Sequence, residues 1–322
     1  MPVIRSSSIR AACIGECMIE LSEQPDGFLR RSFGGDTLNT AIYLARLGMR
    51  VDYVTALGID PFSDEMIGAW QAEGIGTDLV LRCPDALPGL YLIQTHASGE
   101  RRFSYWRDSA PVRRLLTLPE MVRVEAVLLR HDLIYLSGIT LSLFDAAGRD
   151  LLFGILDHLR AHGVQVVFDA NFRPRGWPDL AIARHAYDEM LRRADLALLS
   201  AEDHGLLWDG MKDEDAILSR MQPYGVDEVV LKLDWPGCIV VTAQDERVHV
   251  PAVQEGSAVD TTAAGDSFAA AYLAARAAGL DPKAAAESGH RLARLVVMHR
   301  GAIIPIRAMP HDLWEPPVNA LS

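Results

Sequence analysis

From about residue 115 onward, short apolar runs alternate with longer segments in which apolar positions recur every three to four residues. The runs at 133–136, 164–168, 196–199, 229–233 and 238–241 are almost continuously apolar, which predicts strands buried on both faces. Most of the intervals between them read as helices. The pattern predicts an α/β fold, a Rossmann-like and mostly parallel sheet with helices on both faces.

The first third has a different period. Segments 90–95 and 101–106 alternate apolar and polar positions around the turn His96, Ala97, Ser98, Gly99, and so predict a hairpin. With residues 16–33 and the wider stretch 88–110, that hairpin predicts a small β lid over the carboxyl edge of the sheet, where open α/β sheets bind ligands. A plain surface hairpin is an equal reading of the alternation. The opening stretch holds only about five uncharged residues between Arg10 and Glu16, shorter than a signal-peptide core, so it predicts a tail followed by a strand.

No repeat and no Pro/Gly/Ser linker divides the chain, so residues 1–322 are expected to form one domain. A composition 49% hydrophobic can fill a large core. The formal charge of −12 argues against a nucleic-acid or anionic-membrane surface, leaving only local basic groups to hold an anion. Cys13, Cys17, Cys83 and Cys238 show neither disulfide density nor metal-ligand spacing, so free thiols and a cytoplasmic location are expected. The three lysines, Lys212, Lys232 and Lys283, do not follow glycine, which excludes a Walker-type phosphate loop. No G-x-S-x-G elbow is present.

Two glycine-bearing helix entries carry candidate chemistry. Asp260-Thr261-Thr262-Ala263-Ala264-Gly265-Asp266 precedes an Ala-rich helix, and first-turn amides at the positive end of a helix dipole suit phosphate oxygens. Asp266 beside those amides is placed to take a proton from an attacking hydroxyl; an Asp that merely stabilises the helix start is an equal reading. The second entry presents Gly34, Gly35, Asp36 and Asn39 ahead of a helical pattern. It reads as a polyol site or, more plainly, as a glycine turn with an Asp cap.

Together these segments resemble the two signatures of the PfkB, or ribokinase-like, carbohydrate kinases: GG-D-x-x-N-x-A and, more than two hundred residues later, D-T-x-x-A-G-D-x-F. The likeness is closer still to the 2-keto-3-deoxygluconate kinases within that family. It runs through GECMIELSE at 15–23, VTALGIDPFS at 54–63, LPGLY at 87–91, GERRFSYWR at 99–107, YLSGI at 135–139, FDANFRPRGW at 168–177 and RGAIIP at 300–305.

The resemblance implies an ATP-dependent kinase that phosphorylates the 6-hydroxyl of a sugar acid, with Mg²⁺ accompanying ATP and a monovalent cation left open. Asp266 would be the general base, with the amides of Ala263, Ala264 and Gly265 around the transferring phosphoryl group. Gly34, Gly35, Asp36, Asn39, Tyr91, Tyr105, Arg107 and Arg173 would hold the sugar acid. Asn171, Ser200, Lys232, Asp234 and Gly237 would meet the nucleotide, and Asp203 the metal. A homo-oligomer is expected; a membrane or nucleic-acid partner is not. Three departures stand out. Ala263 replaces a commoner Gly, Ser200-Ala201-Glu202-Asp203 replaces N-x-x-E so that Glu202 competes with Asp203, and Asp234 replaces a frequent Gly. The signatures do not select the sugar, so a fructokinase, or a sugar-binding regulator without turnover, stays open at this point.

Overall fold

The computed structural model describes residues 9–24, 26–95, 101–233, 236–244, 246–253, 258–310 and 313. In chain order the strands are β1 Arg10–Ile14, β2 Met18–Glu23, β3 Leu29–Gly34, β4 Arg50–Leu57, β5 Val80–Arg82, β6 Leu90–Thr95, β7 Arg101–Trp106, β8 Leu133–Ser137, β9 Gln165–Asp169, β10 Leu196–Ser200, β11 Glu228–Lys232, β12 Gly237–Thr242 and β13 Arg247–Pro251. The helices are α1 Asp36–Arg46, α2 Pro61–Ala72, α3 Met121–Leu128, α4 Gly138–Leu143, α5 Ala146–Ala161, α6 Leu180–Leu191, α7 Ala201–Leu207, α8 Glu214–Met221, α9 Ala264–Ala277 and α10 Pro282–Val297.

Nine strands form the large sheet in the order β13-β12-β11-β10-β9-β8-β1-β4-β5. Those from β11 to β5 pair in parallel, and β12 and β13 add an antiparallel edge. Parallel central strands lie under helices on both faces, which is why β8 is buried at every position. One core layer lies under α3, α5, α6 and α8, through residues such as Val124, Leu152, Ala183 and Ile217. The other lies under α1, α2, α9 and α10, through Leu44, Trp70, Tyr272 and Leu292. Alanine makes α9 a strong helix former, and its small side chains let α9 sit wholly inside that layer, with Ser267 to Ala275 all buried.

The remaining four strands form a separate sheet, β3-β2-β6-β7. The hairpin β6–β7 falls where alternation predicted it, although its turn at 96–99 lies outside the described residues. Strand β2 joins it through parallel pairing with β6, from Ile19 opposite Leu90 to Ser22 opposite Ile93. Both halves of this sheet leave the large one at strand carboxyl ends, after β1 and after β5. The chain order reverses between β1 and β8, and a crevice opens at the carboxyl ends where an open sheet reverses order.

Candidate active site

Five elements meet at that reversal. Helix α1 follows Gly35, whose missing side chain is required because a Cβ there would sit 2.1 Å from the Glu16 carbonyl oxygen. The first turns of α1 point Asp36, Asn39 and Thr40 toward the start of α9. Asn39 Nδ2 donates to Asp266 Oδ2 at 2.8 Å, across a sequence separation of 227 residues. The Thr40 hydroxyl is shared between the Asp266 carbonyl and the Tyr135 hydroxyl. Tyr135 in turn donates to Asp169 Oδ2 at 3.2 Å, and Lys232 Nζ lies 3.4 Å from both oxygens of that carboxylate. The two signatures therefore form one hydrogen-bonded centre.

Burial and neighbouring negative charge raise the proton affinity of Asp266 and of Asp36. Asp266 goes from its ordinary 3.8 up to about 8, first through burial and then through the charges of Asp36 and Asp169; the Asn39 bond and the Lys232 charge oppose the rise. Burial likewise raises Asp36, against hydrogen bonds from Ser137, the Thr37 amide and Asn171. A carboxyl group held this way is a stronger base than a solvated one, which suits proton removal from a sugar hydroxyl.

At the start of α9, where the sequence predicts amides turned to a phosphate, one amide has another partner. Ala263 caps the helix in the left-handed conformation, φ 59°, which a glycine adopts without cost and an alanine does not. Its neighbour's amide, on Ala264, already donates to the Thr261 carbonyl at 3.2 Å. The amides of Gly265 and Asp266 occupy first-turn positions to which a helix offers no i−4 carbonyl. Lys232 Nζ stands 3.5 Å from where a Cβ on Gly265 would be, so a cation faces the same amides.

On the side of the small sheet, Gly34 leaves the space that the Tyr91 hydroxyl fills; a Cβ there would lie 2.2 Å from it. Tyr91 donates to Glu20, and its ring lies 5.9 Å from that of Tyr105. Burial raises the Tyr105 hydroxyl, and the charges of Arg107, Arg173 and Arg175 pull it down, so all three guanidinium groups lie within electrostatic reach of it. Arg107 is paired with the buried Glu16. Arg173 donates to Asp203 Oδ1 at 3.0 Å and to the Phe172 carbonyl at 2.7 Å, with 56% of its side chain exposed.

Several residues expected at the nucleotide have other partners. Asn171, at a positive φ of 29°, donates to Asp36 Oδ2 at 2.7 Å. Ser200 caps α7 by accepting from the Asp203 amide. Gly237 is fixed by strand packing, since a Cβ would lie 2.1 Å from the Val250 carbonyl oxygen. Asp234 lies outside the described residues. Asp169, Glu16, Tyr135 and Arg175 carried no role in the reading of the sequence, although Asp169 and Arg175 stand within FDANFRPRGW and Glu16 within GECMIELSE. Two depressions of about 390 and 670 Å³ lie at the opposite, amino-terminal edge of the sheet. Two of their carboxylates are already engaged, Asp195 by Arg160 and Glu228 by Arg276 and Tyr272.

The family model described as pfkB family carbohydrate kinase matches residues 8–309. The chain belongs to the pfkB family. This pfkB kinase is 47% identical to the 2-dehydro-3-deoxygluconokinase of Dickeya dadantii over 305 residues, covering 93% of this chain and 98% of that protein. It is 44% identical to the 2-dehydro-3-deoxygluconokinase of Escherichia coli over 309 residues, covering 94% and 99%. Among solved structures, the fructokinase of Xylella fastidiosa with bound ATP superposes with a TM-score of 0.79 at 25% identity, covering 94% of this chain and 95% of that one.

Proposed function

We propose that this pfkB kinase transfers the γ-phosphoryl group of ATP to the 6-hydroxyl of 2-keto-3-deoxygluconate, giving 2-keto-3-deoxy-6-phosphogluconate and ADP. The observation that carries the reading is the Asn39–Asp266 hydrogen bond between α1 and α9, which supports a carboxyl group of raised proton affinity as the base. Asp266 takes the hydroxyl proton as the new O–P bond forms and the bond to ADP breaks. The Gly265 and Asp266 amides and Lys232 stabilise charge on the transferring group, and Asn39 holds the base in line.

Mg²⁺ held with ATP would supply charge neutralisation at the phosphate oxygens. It takes most of its ligands from phosphate and water and needs only one or two carboxylates, so the absence of a larger ligand cluster among the described residues is no obstacle. Asp203, raised by burial and by the neighbouring charge of Asp169, and Asp169 itself are the carboxylates that would hold it. The charges of Arg107, Arg173 and Arg175 within electrostatic reach of Tyr105 support an acid substrate, because a guanidinium fork matches a planar carboxylate.

The chain as a whole is read as one kinase domain, with the small sheet as its lid. Phe28, Leu29 and Trp106, 74%, 53% and 60% exposed on or beside that sheet, support a homo-oligomer. Among the described residues no helix is long and apolar enough to cross a membrane. Four buried free thiols support a cytoplasmic setting.

The test is ADP release by the purified protein with 2-keto-3-deoxygluconate, fructose and ribose. The acid is expected to lead in kcat/KM by roughly tenfold or more, the worth of a charge-assisted hydrogen bond. Equal use of all three would remove the substrate assignment and leave the kinase; no ADP release from any would remove both.

A further inference from the structure

The lid joins the large sheet through four chain crossings, at 14–18, 34–36, 82–90 and 106–111, and one residue touches all of them. Glu16 belongs to the first. Its carbonyl oxygen packs on Gly35 in the second, at a distance that no Cβ would tolerate. In the third crossing, a Cβ on Gly89 would lie 2.9 Å from Glu16 Oε1 and 3.1 Å from the Cβ of Arg107. Arg107 itself, in the fourth, places Nη2 against Glu16 Oε2. The Arg107 carbonyl is held by the Ala110 amide and by Arg113 Nε, both at 3.1 Å, so its backbone is fixed as well.

A buried ion pair is a poor source of stability, since apolar residues of the same volume do as well or better. Here the cost is visible: only 3% of the Glu16 side chain and 17% of the Arg107 side chain are exposed, and Oε1 has no hydrogen-bond donor among the described residues. Burial raises the Glu16 carboxyl to about 7, in spite of Arg107 and Arg113. What such a pair supplies is orientation. Glu16 occupies one end of the Arg107 guanidinium and fixes which way its remaining donors face, beside Tyr105.

We propose that Glu16 is a positioning residue for the acid-recognition end of the site, holding Arg107 so that its guanidinium meets the substrate carboxylate only when the four lid crossings are in place. The proposal rests on the sugar-acid reading given above. Glu16 does not touch the reacting atoms. It acts through Arg107, and it makes substrate choice a property of the lid junction as well as of the arginine.

The test compares wild type, Glu16→Gln, Arg107→Met and the double variant, with 2-keto-3-deoxygluconate and with fructose as the neutral probe. Glu16→Gln keeps shape and removes charge. Expected is a rise of roughly tenfold in KM for the acid, with kcat held within about threefold and kcat/KM for fructose within about twofold. In the Arg107→Met background the Glu16 change should add nothing to the acid KM, because the two residues act as one unit.

A merely structural Glu16 would lower kcat/KM for both sugars together, and that result would overturn the proposal; so would additivity in the double variant. Should Glu16→Gln fail to fold, Glu16→Asp withdraws the carboxylate by one methylene. An intermediate, acid-specific rise in KM is then expected, and an unchanged KM would overturn the proposal. A wild type that uses both sugars equally would overturn the sugar-acid reading and this proposal with it, whereas a wild-type acid preference that survives Glu16→Gln overturns this proposal alone.

Discussion

Replacing Asp266 by Asn should separate what the carboxyl group does for catalysis from what it does to stability. The amide is nearly the same shape, and its oxygen can still accept from Asn39 Nδ2, so the helix start is preserved. Turnover should fall by ~10²–10⁴, the usual loss when a general base is removed. Stability should move the other way. Between pH 3.8 and about 8 the folded protein keeps a proton on Asp266 that the unfolded chain releases, so folding stability from this group falls as pH rises through that window. At 1.36 kcal/mol for each pH unit, the full span sets an upper limit of about 6 kcal/mol. Solvent reaching the half-buried carboxyl group reduces the expected effect to about 2 kcal/mol, or roughly 4 °C in Tm for a chain of this size. The variant should match the wild type in Tm near pH 4 and exceed it by that amount near pH 9, measured by calorimetry beside ATP binding and ADP release. Near-normal kcat would refute the general-base role. A Tm difference that is the same at both pH values would refute the account of the raised carboxyl group.

Ala263→Gly should retain activity and raise stability by up to about 1 kcal/mol, because the left-handed cap at φ 59° strains an alanine; a loss of stability in urea titration would contradict this. Arg173→Ala should lower kcat/KM for the acid roughly tenfold while sparing fructose, and Arg173→Lys should recover only part, since an ammonium keeps the charge without the fork. Equal losses on both sugars would instead assign Arg173 to its bond with Asp203.

Much of this fold is legible in the chain because burial on two faces and burial on one face leave different periods. The runs at 133–136 and 196–199 became β8 and β10 with one residue added at the carboxyl end, and the alternating pair at 90–95 and 101–106 became β6 and β7. Alternation names no partner, however, so the parallel pairing of β2 with β6 was invisible: it joins Ile19 to Leu90 across the intervening α1, β4, α2 and β5. The site divides in the same way. Asp266 and the glycines stand in local motifs whose backbone needs can be read in sequence order. Asp169 and Glu16 are carboxylates whose importance comes from burial beside a cation brought from elsewhere, Lys232 in one case and Arg107 in the other. The same limit applies to Asn171, where a single turn of backbone decides whether the amide faces phosphate or Asp36.

The two arms of the small sheet are inserted between strands of the large one, β1 and β4, which pair with each other, for one arm, and β5 and β8, which lie on either side of that pair, for the other, and neither arm adds a strand to the large sheet. An exchange of these arms would leave the parallel ladder and α9 with their own contacts. If the acid-recognition role proposed for the small sheet holds, substrate choice is a transplantable part, and phosphate chemistry is the chassis that receives it. A chimera carrying residues 16–34 and 88–110 of this chain on a fructose-specific relative would need a matching junction at positions 35 and 89, where Glu16 leaves no room for a side chain.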